Sequence, residues 1–408
     1  RSGLPGGAVC LAAVLTGKLP VKGRTVALTL SGGNIDPLLL QRVVAHGLSA
    51  SGRYMTMRIP LPDRPGQLAR VSELLALAGP EERQLWENLS LAYTESQGLP
   101  ALRREISSKY DTVRPEEVLV AVPEEGIYIT MRALLRPGDT VVVTFPGYQS
   151  LYAVAEAIGC RVLPWRPREN ARGELYFDAA EALALMEEHD PKLTVVNFPH
   201  NPTGKTLARA DWDALVGNCR ARGRHLFSDE MYRLLEHDEA ARLPSAVDCY
   251  EKAITLCGVS KTMGLPGLRV GWVATHDASL YADLCLHKDY TTICGSAPSE
   301  ILALIGLRAQ ERLVAANMAT IRENLGLCRA LVAEFPDLLQ WDPPAAGSIA
   351  FPRLTAEGDV EDLCARLVEE HSVLLLPGSV YGDAAARAQG RFRLGLGRRG
   401  IGAGLDLL

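Results

Sequence analysis

Five side chains standing just past apolar runs could bind and activate a small phosphorylated aldehyde. Asn201 follows "LTVVNF" and opens "NPTG" (201–204). Asp229 and Tyr232 bracket "DEMY" (229–232), after "HLF". Lys261 follows "AITLCGV", and Arg269 comes eight residues later in "GVSKTMGLPGLRVGW" (258–272). A lysine amine can form a Schiff base with an aldehyde and then carry a proton. A carboxylate such as Asp229 can hold a cation, for example a protonated pyridine nitrogen. Asn201 and Tyr232 can hydrogen-bond a phenolate oxygen, and the planar fork of Arg269 suits a phosphate. Each residue alone has an ordinary explanation, as a helix cap, a turn or a solvated charge. Their joint occurrence at successive strand ends does not.

The elements that must position them can be read from hydrophobic pattern. Short apolar runs at 118–123, 139–148, 161–165, 193–204, 225–232, 253–261 and 268–275 predict strands, and helical stretches separate most of them. Strands alternating with helices imply a mostly parallel α/β sheet covered on both faces. In such sheets ligands bind beyond the carboxyl ends of the strands, where Asn201, Asp229, Tyr232 and Lys261 would converge. After Ser299 the pattern is mainly helical, with strand-like runs at 347–354, 372–379 and 391–397, which predicts a smaller α+β domain. The chain shows no internal repeat.

The 408 residues leave room for more than one domain. Hydrophobic residues make up 47% and charged residues 22%, and the formal net charge is −5, which argues against a nucleic-acid partner. Nine cysteines are scattered without a CxxC pair, so no metal site is expected and a reducing, cytoplasmic setting is. No apolar run is long enough to predict a membrane span.

Together these groups match pyridoxal phosphate, and from about Glu73 onward the chain resembles the class I/II aminotransferases of the fold-type I pyridoxal-phosphate enzymes. The resemblance rests on "NPTG", "DEMY", "SKTMGLPGLRVGW" (260–272) and "FRLGLGR" (392–398), in that order. It implies a mostly parallel seven-stranded sheet in a large domain (111–300), a small α+β C-terminal domain (301–408), and an N-terminal part (73–110) contributing to the small domain and to a dimer contact. By the same resemblance Lys261 is the lysine that holds the cofactor as an internal aldimine. Asp229 pairs with the pyridine nitrogen, Tyr232 and Asn201 contact the ring oxygen, and Ser260 and Arg269 bind the phosphate. Tyr148 of "FPGY" stacks on the ring. Arg393 grips the substrate α-carboxylate, with Asn201 beside it. Tyr93 reaches the cofactor phosphate of a second subunit, so a homodimer with shared active sites is implied. The expected reaction exchanges an amino group between an L-amino acid and a 2-keto acid. Ser348 and Tyr290 are candidate side-chain contacts.

Two stretches depart from this pattern. Where the family has a small-residue turn that cradles phosphate on backbone N–H groups, this chain reads "AVPEEGIYIT" (121–130). Pro123 has no N–H, and Glu124 and Glu125 bring negative charge to the cofactor region; facing the site, they would recognise a cationic group on the substrate. The departure keeps a second chemistry open: cyclisation, elimination or oxidation of an amino acid, as in enzymes of the capreomycidine synthase kind, which the chain also resembles. A third reading is a cofactor- or amino-acid-binding remnant without turnover. Residues 1–70, with "SGGNID" and "DRPG", resemble a short α/β fragment from the tail of threonine dehydratase, including the start of its ACT-like region. No matching lysine precedes Ser31, and Ser31 is assigned no role.

Overall fold

The structure, a computed structural model, describes residues 67–355, 358–382 and 389–407. Expectations for the fragment 1–70, Ser31 included, fall almost wholly outside the described residues. Val71–Leu408 forms a compact unit of its own, and it carries every candidate site residue.

Nine strands precede the C-terminal region: β1 (Val118–Ala121), β2 (Thr140–Thr144), β3 (Arg161–Trp165), β4 (Pro167–Glu169), β5 (Leu175–Phe177), β6 (Leu193–Asn197), β7 (His225–Asp229), β8 (Ala253–Gly258) and β9 (Gly271–Thr275). Seven of them make one sheet in the order β1-β9-β8-β7-β6-β2-β3. From β8 to β3 the neighbours are parallel; β9 runs antiparallel to both β8 and β1. These strands are short, near-continuous apolar runs because helices cover both faces and leave no polar side to alternate with. β4 and β5 form a separate antiparallel hairpin that the hydrophobic pattern does not announce.

On one face Leu119, Val143, Val195, Phe227 and Ile254 pack with Ile127, Leu151, Leu280 and Leu284 from helices Pro123–Leu134, Ser150–Ile158 and Ala278–Asp289. On the other, Val142, Val196 and Leu226 meet Met186, Trp212 and Leu215 of helices Ala179–His189 and Arg209–Arg222. The C-terminal region has its own cluster. There Met318, Ile321 and Leu325 of the long helix Gln310–Glu334 pack on β10 (Ile349–Ala350) and β11 (Phe392–Gly395), strands that pair antiparallel. Met231 and Tyr232 belong to that cluster, so the loop after β7 joins sheet to C-terminal region. The segment from Leu74 to Ser107 packs elsewhere: on Ile301, Leu302 and Ile305, and on the β1/β9 end of the sheet through Leu102, Ile106, Val120 and Trp272.

Two features bring the site together. Register aligns Asn197 with Asp229 on adjacent strands, and Asp229 with Leu256. Gly126 lets helix Pro123–Leu134 settle onto β8 and β9: a Cβ there would lie 2.8 Å from Leu256 and 3.0 Å from Val273. That close approach carries the first turn of the helix to the strand ends.

Candidate active site

A hollow of about 700 Å³ opens at the carboxyl ends of β6, β7 and β8. Glu124, Tyr148, Asn201, Asp229, Tyr232, Ser260, Lys261, Arg269 and Arg393 all line it, although they are scattered over most of the chain. Ile127, Met231, Leu256, Pro123 and Pro266 supply apolar wall. Four of the expected contacts lie apart from it. Glu125 turns away and accepts hydrogen bonds from Thr291 Oγ1 and from Thr292 Oγ1 at 2.8 Å. Tyr93 and Tyr290 are 88% and 85% exposed. Ser348 is not among the lining residues either; its carbonyl accepts from Leu396 N at 2.7 Å.

Asn197 is the residue that sequence reasoning missed. Its Nδ2 donates to the Asp229 carbonyl at 3.0 Å, and its Oδ1 accepts from Asn201 N at 2.8 Å. One amide therefore ties the end of β7 to the loop carrying Asn201. The available signal was a polar residue closing the strand "LTVVN", every position of which is buried. On its far side the same loop is held by Ala345 N and Ala346 N, which both donate to the Gly204 carbonyl.

Asp229 is buried and accepts from Met231 N at 3.0 Å. Burial pushes its carboxyl up to about 7; that backbone N–H and Lys261 oppose the rise, and the charges of Glu124 and Glu230 add to it. Burial likewise pushes the Tyr232 hydroxyl up to about 12 against the pull of Arg393. Lys261 projects into the open hollow, yet its amine is held below the ordinary lysine value, first by loss of solvent and then by Arg393; Asp229 pulls the other way. Arg393 donates to the Tyr381 hydroxyl at 2.9 Å. Arg269 sits at φ 56, ψ 39, a left-handed conformation rare for a side chain of this size. Neither arginine, nor Lys261, has a carboxylate ion-pair partner among the described residues.

This donor set fits pyridoxal phosphate. Ser260 Oγ and Asn201 Oδ1 are buried without hydrogen-bond partners, and buried polar atoms are seldom left so unless a ligand completes them. Arg269, whose side chain donates, among the described residues, only to the Pro266 carbonyl at 3.4 Å and which lines the hollow with Ser260, suits a phosphate. A carboxyl that burial strains suits a ring N–H⁺ that would stabilise its charge. Lys261 supplies an amine held below the ordinary lysine value.

Comparison with known proteins agrees. The model of the family "Aminotransferase class I and II" matches residues 75–398. Capreomycidine synthase of Streptomyces vinaceus is 34% identical over 64% of this chain and 66% of its own length. Arginine–pyruvate transaminase of Pseudomonas aeruginosa is 31% identical over 74% of this chain and 77% of its own. Among solved structures, a pyridoxal-phosphate-dependent aminotransferase of Streptococcus suis superposes with a TM-score of 0.74 at 29% identity, covering 83% of this chain and 88% of that one. A pyridoxal-phosphate-dependent cyclase does so with a TM-score of 0.72 at 29% identity, covering 93% and 97%. A family match running through nearly all of the described residues is decisive: the chain belongs to the class I and II aminotransferases, pyridoxal-phosphate enzymes of fold type I.

Proposed function

We propose that the chain moves the amino group of an L-amino acid to a 2-keto acid, with Lys261 as the catalytic amine. The carrying observation is the convergence of Lys261, Asp229, Arg269 and Arg393 on one hollow, with no carboxylate among the described residues paired to the cations. Pyridoxal phosphate, when bound, supplies an aldehyde that takes up amines and a ring that draws electrons from the substrate α-carbon. Ser260 and Arg269 would hold its phosphate, Asn201 and Tyr232 its ring oxygen, and Tyr148 would cover its ring. Asp229 would keep the proton on the ring nitrogen. Arg393 clamps the substrate α-carboxylate, which fixes the α-hydrogen relative to Lys261. Lys261, facing the same hollow, would take up and return the proton of the substrate α-carbon.

The same reading divides the compact unit into a cofactor-binding part (111–300), a C-terminal part (301–408) and an N-terminal part (73–110). It also makes the working form a cytoplasmic homodimer in which Tyr93 meets the second subunit's cofactor phosphate; the outward position of Tyr93 suits that role. Residues 1–70 are read as a fused fragment of threonine dehydratase type without activity of its own.

A second chemistry keeps its place because one solved relative is a pyridoxal-phosphate-dependent cyclase. Mass spectrometry of the products decides between them: a keto acid supports transamination, and a cyclised amino acid supports the alternative. Lys261→Ala is expected to lose turnover by either route. Full turnover by that variant would remove Lys261 from the mechanism.

A further inference from the structure

The proposed chemistry leaves one carboxylate in the hollow without a task. Glu124 stands in the first turn of helix Pro123–Leu134 and lines the hollow with Lys261 and Asp229. The Tyr148 hydroxyl donates to its Oε1. Among the described residues Oε2 has no hydrogen-bond partner and Glu124 makes no ion pair. Its neighbour Glu125 is instead engaged by Thr291 and Thr292. Two further lining groups are more than nine-tenths buried and unpartnered, Ser260 Oγ and Asn201 Oδ1, so this is a built site and not merely a helix end.

Charge matching gives Glu124 its role. On the reading above, Arg269 answers the cofactor phosphate, Arg393 the substrate α-carboxylate, and Asp229 the ring nitrogen. Lys261 is committed to the aldehyde. Every cation of the hollow is then taken, and Glu124 is left facing bound anions with an uncompensated charge. Such a carboxylate is costly unless a cation reaches it. A hydrophobic or acidic substrate side chain would leave that cost in place. We propose that Glu124 sets specificity, accepting charge-assisted hydrogen bonds through Oε2 from a guanidinium or ammonium group at the far end of the substrate side chain. Tyr148 holds the carboxylate by its other oxygen and so aims the free one. The proposal rests on the active-site reading of the same hollow.

The test uses L-arginine and L-citrulline, which share size and shape but differ in side-chain charge. With the holoenzyme, kcat/KM is expected to favour arginine by about 10- to 100-fold, the range for a hydrogen bond to a charged group. In Glu124→Gln the arginine value falls until the two donors agree within about threefold, and the citrulline value stays. An equal fall for both donors would instead make Glu124 a support for Tyr148 or the cofactor and overturn the proposal. A wild-type ratio near one overturns it too, while keto acid formed from citrulline leaves the transaminase reading standing. Equilibrium dialysis of both amino acids against the cofactor-loaded Lys261→Ala protein gives a reading free of turnover. Arginine preference there, lost in the Lys261→Ala, Glu124→Gln double variant, supports the proposal even if the wild type transaminates neither donor. Equal retention counts against it.

Discussion

Asp229 gives the sharpest prediction, because its burial sets the sign of the effect. Burial holds its carboxyl near 7, against 3.8 for the exposed group. The folded protein therefore binds a proton that the unfolded chain releases, and stability falls as pH rises through that window. Asp229→Asn removes the ionisation but keeps an oxygen for the Met231 N–H, which bonds at 3.0 Å. In protein freed of pyridoxal phosphate, the variant should be more stable than wild type at neutral pH. At about 1.4 kcal/mol per pH unit, the advantage is roughly 2 kcal/mol at pH 5 and roughly 4 kcal/mol at pH 8, and it levels off above 7. Urea unfolding of both proteins across that range, followed by tryptophan fluorescence, measures the difference. A variant that is uniformly less stable, or an advantage that does not grow between pH 5 and 7, would refute the argument that burial strains this carboxyl. The same substitution should cost nearly all turnover, since an amide cannot hold the ring nitrogen in its charged form. Greater stability with lost activity is the expected signature.

Arg393→Ala should raise KM for the amino donor on the order of 100-fold, the loss of a charge-assisted contact, while the apo-protein still folds. Because Arg393 depresses the Lys261 amine, the alkaline limb of the Lys261 titration, read by cofactor absorbance against pH, should move to higher pH in that variant. Arg269→Lys should weaken cofactor retention on dialysis more than it changes KM, because an ammonium cannot reproduce a bidentate fork. Gly98→Ala should destabilise by more than about 1 kcal/mol in thermal unfolding, since overpacking adds to backbone strain: Gly98 sits at φ 103, and a Cβ there would lie 2.5 Å from Val120.

The sheet was legible because its strands are buried on both faces, and burial writes itself into sequence as unbroken apolar runs. All seven expected runs became strands of the one sheet. The site was legible for a related reason: strand ends are the natural ligand edge of a parallel sheet, so Asn201, Asp229 and Lys261 could be placed in space without a contact being known. What stayed hidden depends on angles. Successive helix residues point about 100° apart, so "PEEG" alone could not say which glutamate faces the hollow. Packing of Gly126 on Leu256 decides it, and only Glu124 does. The role of Asn197 depends on register between strands, which no single strand records. The β4–β5 hairpin is too short to leave a periodic trace, and the packing of residues 74–107 is set by surfaces far away in the chain.

Elsewhere in the molecule long cationic side chains are matched with care. Arg308 meets Glu81, Glu82 and Glu105. Arg222 meets Glu187 and Asp190. Arg391, almost wholly buried, meets Glu169. In the hollow this habit stops. Lys261, Arg269 and Arg393 line the hollow with no carboxylate partner among the described residues, Arg269 adopts a left-handed backbone, and Asp229 is buried far enough to hold its proton near neutrality. Each of these is unfavourable to the empty fold, and packing elsewhere must sustain them together. They become favourable at once when a molecule arrives carrying a phosphate, a basic ring nitrogen and an aldehyde. Loss of solvent and then the repulsion from Arg393, both costly to stability, are also what lower the Lys261 amine below its ordinary value. Strain and chemistry here are one charge distribution, in which Glu124 is the remaining negative charge that the cofactor does not use.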